Sequence, residues 1–251
     1  MDESRKQELL ELLTGEHGSS ERLWDTFRAY VNTRPPEPAP AEWLAAQDEL
    51  LQGMIADAGV STVEDAAPAP GDPRVALWRG DITTFAADAI VNAANSQMLG
   101  CWVPGHYCID NAIHTFAGVQ LRRECYELML AQGHEEPTGQ AKITGAWNLP
   151  SKHVIHTVGP IAAGHPSDLH RSQLASSYRS CLDLAAENGL HTIAFCCIST
   201  GVFGFPAAKA AEIATATVRD WLDARPQAGM CVVFNVFGEN DERLYRELMG
   251  L

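Results

Sequence analysis

No run of apolar residues in this chain approaches the roughly 18 needed to cross a bilayer, so no helical membrane span is expected. Positive charge is scarce: 18 Lys and Arg stand against 32 Asp and Glu, a formal net charge of −14. A nucleic-acid backbone is bound through clustered Lys and Arg, so nucleic acid is excluded as the expected partner. The opening segment MDESRKQELLELLTGEHG is acidic and polar where an export signal would be basic and then apolar, and no other segment reads as one. Seven cysteines are an odd number for a disulfide framework, and Cys196 and Cys197 are adjacent in an apolar run. That usage suits a reducing cytoplasm, the expected location, with cysteines as core residues or metal ligands. What the chain does have is a hydrophobic fraction of 46%, enough for an ordinary globular core. The charge sets one condition on function: an anionic ligand would have to be held mostly by backbone N–H groups.

The first seventy residues differ in texture from the rest. Leu9, Leu10, Leu12 and Leu13 mark one amphipathic segment, and SERLWDTFRAYV at 20–31 marks a second. RPPEPAPAEW then breaks the chain, and apolar residues recur at helical spacing from Ala41 to Ala58. AAPAPGDP at 66–73 reads as a linker. Residues 1–70 are therefore expected to form a helical extension, and residues 71–251 the main domain. From Val75 onward β-type runs (75–78, 88–92, 141–147, 153–158, 192–198, 230–237) alternate with helical patterns (109–131, 170–188, 206–224, 239–249). HVIHTV, TIAFCCI and MCVVFNVF are nearly continuous apolar runs, as in strands covered on both faces. The expected fold class is α/β, a three-layer α/β/α sandwich around a central sheet.

Three loops stand where strands end, the usual place for a ligand in such a sheet. In the first, RGDITTF, Asp81 either caps a turn or accepts a hydrogen bond from the exocyclic amine of an adenine, while Asn92 and Asn95 could grip sugar hydroxyls. In the second, CISTGVFGFPAAKA, small residues lead from a strand into a helix whose first turn holds Pro206. Ser199, Thr200, Gly201, Val202 and Phe203 can there present successive N–H groups to a diphosphate. In the third, LGCWVPGHYCIDNAIH, Cys101, His106 and Cys108 form a C-x4-H-x-C cluster. Thiolate and imidazole are the ligands zinc favours, and three ligands with an open fourth position describe a catalytic site. The plain alternative is two buried cysteines and a surface histidine. The other five, Cys125, Cys181, Cys196, Cys197 and Cys231, read as core. Asp110 either favours the dipole of the helix it opens or acts as acid or base beside the metal.

These loops, in this order, resemble the macrodomain family over residues 75–237. The resemblance is carried by GDIT (80–83), AIVNAAN (89–95), IDNAIHTFAG (109–118), TGQAKITGAWNLPSKHVIHTVGP (138–160) and ISTGVFGFP (198–206). It implies a mixed central sheet and ADP-ribose binding: Asp81 and Ile82 at the adenine, Asn95 at the distal ribose, and Ser199 to Phe203 at the diphosphate. Many macrodomains carry a glycine run before the block containing Asp110, and here GCWVPGHYC interrupts it. In this the chain is similar to the zinc-containing macrodomains, protein-ADP-ribose hydrolases that also carry an N-terminal helical extension. Some of those are encoded beside a sirtuin-type transferase and a lipoyl-carrier-like protein, which makes such a modified carrier the expected partner here. The expectation is a monomeric, zinc-dependent mono-ADP-ribosyl hydrolase cleaving an Asp or Glu ester, with Asp110 moving a proton and Asn95 orienting the ribose. A non-catalytic ADP-ribose reader with a structural zinc, and an O-acetyl-ADP-ribose deacetylase, are the alternatives.

Overall fold

The computed structural model describes all 251 residues. Its strands are β1 (Ser61–Thr62), β2 (Ala67–Ala69), β3 (Asp72–Arg79), β4 (Phe85–Ala86), β5 (Ala89–Ala94), β6 (Ala141–Gly145), β7 (His153–Val158), β8 (Thr192–Phe195) and β9 (Cys231–Val236). Seven of them make one sheet in the order β2-β3-β9-β8-β5-β7-β6, and β1 pairs with β4 separately. The inner five run parallel, while β2 and β6 close the edges antiparallel, so the sheet is mixed. Val75, Ile90, Val91, Val154, Ile155, Ile193 and Val232 are fully buried, as the continuous apolar runs require of strands covered on both faces.

The helices are α1 (Glu3–Thr14), α2 (Ser20–Thr33), α3 (Ala41–Ala58), α4 (Ile109–Ala117), α5 (Val119–Gln132), α6 (Asp168–Glu187), α7 (Ala207–Ala224) and α8 (Glu239–Met249). Helices α6, α7 and α8 pack together against one side of the sheet, and α4 and α5 contact β5 and β6. This is the expected three-layer α/β/α arrangement. No helix is long and apolar enough to cross a membrane.

Three details depart from the sequence reading. The helix expected over 109–131 is two helices, broken at Gly118, whose φ of 94° is a left-handed value. A Cβ at Gly118 would stand 2.6 Å from Gln47 Nε2, and Gln47 Oε1 accepts the Val119 N–H at 3.0 Å. The side chain that caps α5 thus comes from α3, far away in sequence. Second, Ala67–Ala69 lie within the segment read as a linker and pair with β3 as an edge strand. Third, Pro206 occupies the N-cap of α7 rather than its first turn.

The three N-terminal helices bury their own apolar cluster, including Leu10, Leu23, Phe27, Leu50 and Leu51. Val119 of α5 belongs to the same cluster, and the Trp24 ring lies 5.7 Å from that of Phe116 in α4. Each fully buried Leu or Phe contributes on the order of 1.5–3 kcal/mol. The extension is therefore packed against α4 and α5, next to the loop that precedes them.

Candidate active site

Parallel strands β5 and β8 are neighbours, but the chain leaves them in opposite directions, toward β7 from one and toward β9 from the other. Such a reversal opens a crevice at the carboxyl ends of the strands. A cleft of about 550 Å³ lies there, within the usual range for a small-molecule site. Its wall includes Asn95, Cys101, His106, Cys108, Asp110, and the run Ser199 to Phe203, so most of the residues expected from the sequence meet in one cavity.

The loop after β8 is shaped for an anion. Ser199 is buried with φ 66°, and its carbonyl accepts the Phe205 N–H at 2.9 Å. Gly204 N–H donates to Gly201 O at 2.9 Å, which curls the intervening residues into a turn. The N–H groups of Gly201, Val202 and Phe203 donate to no acceptor within the protein. Exposed amides just ahead of the α7 N-terminus are a diphosphate-binding feature. The segment after β7 braces this turn: Ala162 and Ala163 N–H donate to Phe203 O, and Gly164 N–H donates to Gly204 O.

Gly159 sits under the same turn, and a Cβ there would fall 2.1 Å from Ser199 Oγ and 2.7 Å from Ile198 Cγ2. Gly159→Ala is therefore expected to displace the loop, weakening the binding of a diphosphate ligand by about tenfold and lowering stability by roughly 1–3 kcal/mol. Calorimetric titration and urea melts measure the two effects. Ser199→Ala added to Gly159→Ala should recover part of the loss, and a strictly additive double variant would contradict the steric account.

A polar relay runs into the protein from Asp110, which is also on the cleft wall. Its carboxylate, 6% exposed, accepts from Asn92 Nδ2 at 2.8 Å and from Asn95 Nδ2 at 3.4 Å. Asn92 Nδ2 also reaches His156 Nδ1 at 3.1 Å, and His156 Nε2 lies 3.0 Å from Thr144 Oγ1. Thr144 directs its own hydroxyl proton toward Val154 O, so the histidine donates from Nε2 and accepts at Nδ1. A neutral ring satisfies this pattern, and burial correspondingly drives the His156 pKa down to about 3. Burial has the opposite sign on an acid and pushes Asp110 up to about 6 despite the Asn92 hydrogen bond. A carboxyl near neutrality in a cleft is suited to taking up and giving back a proton.

Cys101, His106 and Cys108 present ligand atoms that all lie within 4.8 Å of one another, with Cys101 Sγ 3.4 Å from His106 Nδ1. Donors about 2.0–2.3 Å from a shared tetrahedral zinc stand roughly 3.5 Å apart, so the set fits the metal. All three are part-buried and face the cleft. A second grouping, His114, Cys125 and His156, is equally close but fully buried, and both His156 nitrogens already have partners in Asn92 and Thr144.

Several expected residues prove to be engaged within the protein. Asp81 accepts from Thr83 N–H at 2.9 Å and Thr83 Oγ1 at 2.7 Å, capping a single 3-10 turn. The Ile82 side chain is buried, and neither residue forms the cleft wall, although both follow β3 beside the end of β9. Asn95 Nδ2 donates to Gly100 O at 3.0 Å as well as to Asp110, tying the start of the cysteine loop to the acid. Sequence reasoning missed Asn235, Phe237 and Asp241 on the wall, and assigned no role to His156 or Gly159. The signals were polar residues in largely apolar strands, His156 in HVIHTVGP, where Gly159 follows, and Asn235 in MCVVFNVF.

An α/β/α sandwich with an amide-lined loop at its sheet reversal defines a domain that holds an anionic nucleotide. The macro domain model matches residues 91–214. A protein-ADP-ribose hydrolase of Treponema medium is 59% identical over 226 residues, 89% of this chain and 86% of its own. One of Staphylococcus aureus is 50% identical over 230 residues, 91% and 85% of the respective chains. A Trypanosoma brucei macrodomain in complex with ADP-ribose is similar in structure, with a TM-score of 0.68 at 32% identity over 89% of this chain and 95% of that one. A variant of the Oceanobacillus iheyensis macrodomain with ADPR gives 0.64 at 39% identity, covering 70% and 91%. The chain belongs to the macro domain family.

Proposed function

We propose that this macrodomain binds ADP-ribose in the cleft and hydrolyses it from mono-ADP-ribosylated protein side chains, with zinc held by Cys101, His106 and Cys108. The observation that carries the reading is that a buried acid and a three-ligand metal cluster, linked through Asn95, line the same cavity as the amide-lined loop. Relatives at 59% and 50% identity bear the name protein-ADP-ribose hydrolase, which supports the same activity here.

In this reading the diphosphate lies on the N–H groups of Gly201 to Phe203, with the adenine toward Phe237 and the Asp81 turn. The distal ribose then lies near Asn95, with its linkage to the protein beside Asp110. When bound, zinc supplies Lewis-acid character and lowers the pKa of water toward about 7. Hydrolysis adds water across the bond between the distal ribose and the side-chain oxygen of an Asp or Glu ester. Asp110 accepts the proton of the attacking water and the side-chain carboxylate leaves. Asn95, bonded to both Gly100 O and Asp110, keeps the acid and the cysteine loop in register. The favoured substrate is a small acceptor such as a lipoyl-carrier-like protein modified by a sirtuin-type transferase.

The test is release of free ADP-ribose from carriers modified at Asp or Glu, Ser, or Arg, using the zinc-loaded protein. Multiple turnover on the acidic ester is expected, and metal analysis should find one zinc per chain. Tight ADP-ribose binding without release from any carrier would make the protein a reader instead.

A further inference from the structure

We infer that Arg28 and Asn32 of α2, acting with Asn111, are positioning residues that hold the cysteine loop in its metal-binding shape. The inference rests on the zinc reading above and assigns that role to two side chains of the N-terminal extension.

Arg28 is only 7% exposed, and its three contacts all involve the loop or the helix that follows it. Nη2 donates to His106 O at 3.4 Å and to Asn111 Oδ1 at 3.2 Å, and the guanidinium lies 4.6 Å from the centre of the Tyr107 ring. None of these partners is a carboxylate. A buried cation without an anionic neighbour is costly, unless other groups take up its charge. Here the carbonyl of one ligand residue and the ring of its neighbour do so, so the charge is spent on the geometry of the loop.

Asn32, 1% exposed, divides its amide between the same two elements. Nδ2 donates to Thr115 Oγ1 of α4 at 3.0 Å, and Oδ1 accepts the Gly105 N–H at 3.4 Å. Asn111, fully buried, donates from Nδ2 to Val103 O at 3.3 Å, while its N–H points to Cys108 Sγ at 3.4 Å. Between Cys101 and Cys108 the backbone is thus fixed at positions 103, 105 and 106 by these three side chains. Arg122 adds a fourth hold, 4.2 Å from the Trp102 ring centre while donating to Val31 O and Arg34 O of the extension. Partners that orient metal ligands in this way typically set about 10–100-fold in metal affinity.

Zinc transfer from the full-length, zinc-loaded protein to an excess of chromophoric chelator separates this role from general stability. Variants R28M, R28K and N32A are compared with R22M, which removes an exposed arginine of the same helix paired with Glu16 at 3.1 Å. Release at least about tenfold faster is expected in R28M and N32A, with partial recovery in R28K and the native rate in R22M. ADP-ribose affinity should stay within a few-fold throughout. Native release rates in R28M and N32A, or ADP-ribose affinity falling in step with zinc loss, would overturn the assignment. Should R28M fail to fold, N32A and R28K decide it. A native protein without stoichiometric zinc would remove the zinc reading itself, and metal analysis shows that before any variant is made.

Discussion

Asp110→Asn is expected to lower ADP-ribose release by about 10²–10⁴-fold, the range for loss of a positioned general acid or base. The substitution keeps the volume and leaves Asn92 an oxygen to donate to, so the relay to His156 and Thr144 should persist. What it removes is a group that can carry a proton. Single-turnover release from an ester-linked carrier gives the rate, while calorimetry should return ADP-ribose affinity within a few-fold of native. A variant releasing ADP-ribose within about threefold of native would take the proton-transfer role away from Asp110. Loss of binding in proportion to rate would instead make Asp110 a binding group.

Cys101→Ala is expected to abolish stoichiometric zinc and reduce release by at least about 10²-fold, the scale of losing a preorganised electrostatic group. Only His106 and Cys108 would remain as donors, and two protein ligands are too few for a stable zinc site. Because the amide-lined loop is built by β8, α7 and the segment after β7, ADP-ribose should still bind within a few-fold. A purely structural zinc predicts otherwise: chelation would lower the melting temperature, and activity would fall only as the protein unfolds. Undiminished release from a folded, metal-free preparation would sink the catalytic role of zinc.

Much of this site was legible because its signals are local. The C-x4-H-x-C spacing and the strand-glycine-helix run around Ser199 both act within a single loop, and the cleft brings the two together. The apolar runs HVIHTV and MCVVFNVF became β7 and β9 because burial on both faces leaves no room for alternation. What escaped depends on pairs far apart in sequence. Gly118 separates α4 from α5, but Gln47, whose side chain caps α5, lies 72 residues from the amide it caps. Asp110, Asn92, His156 and Thr144 form one relay across three strands and a helix, and nothing in their individual contexts links them. Arg28 falls within the amphipathic run 20–31 and Asn32 just beyond it, and nothing in either local context points to a loop more than seventy residues away.

The wall of the cleft contains no lysine or arginine, while the chain as a whole carries −14. A ligand bearing two phosphates therefore approaches against a repulsive field and is captured only at close range, by short-range dipoles. Screening weakens the long-range repulsion over about 8–10 Å at physiological ionic strength and leaves the close N–H contacts almost untouched. Salt should thus ease the arrival of ADP-ribose rather than hinder it, the reverse of proteins that draw in anions with a basic surface.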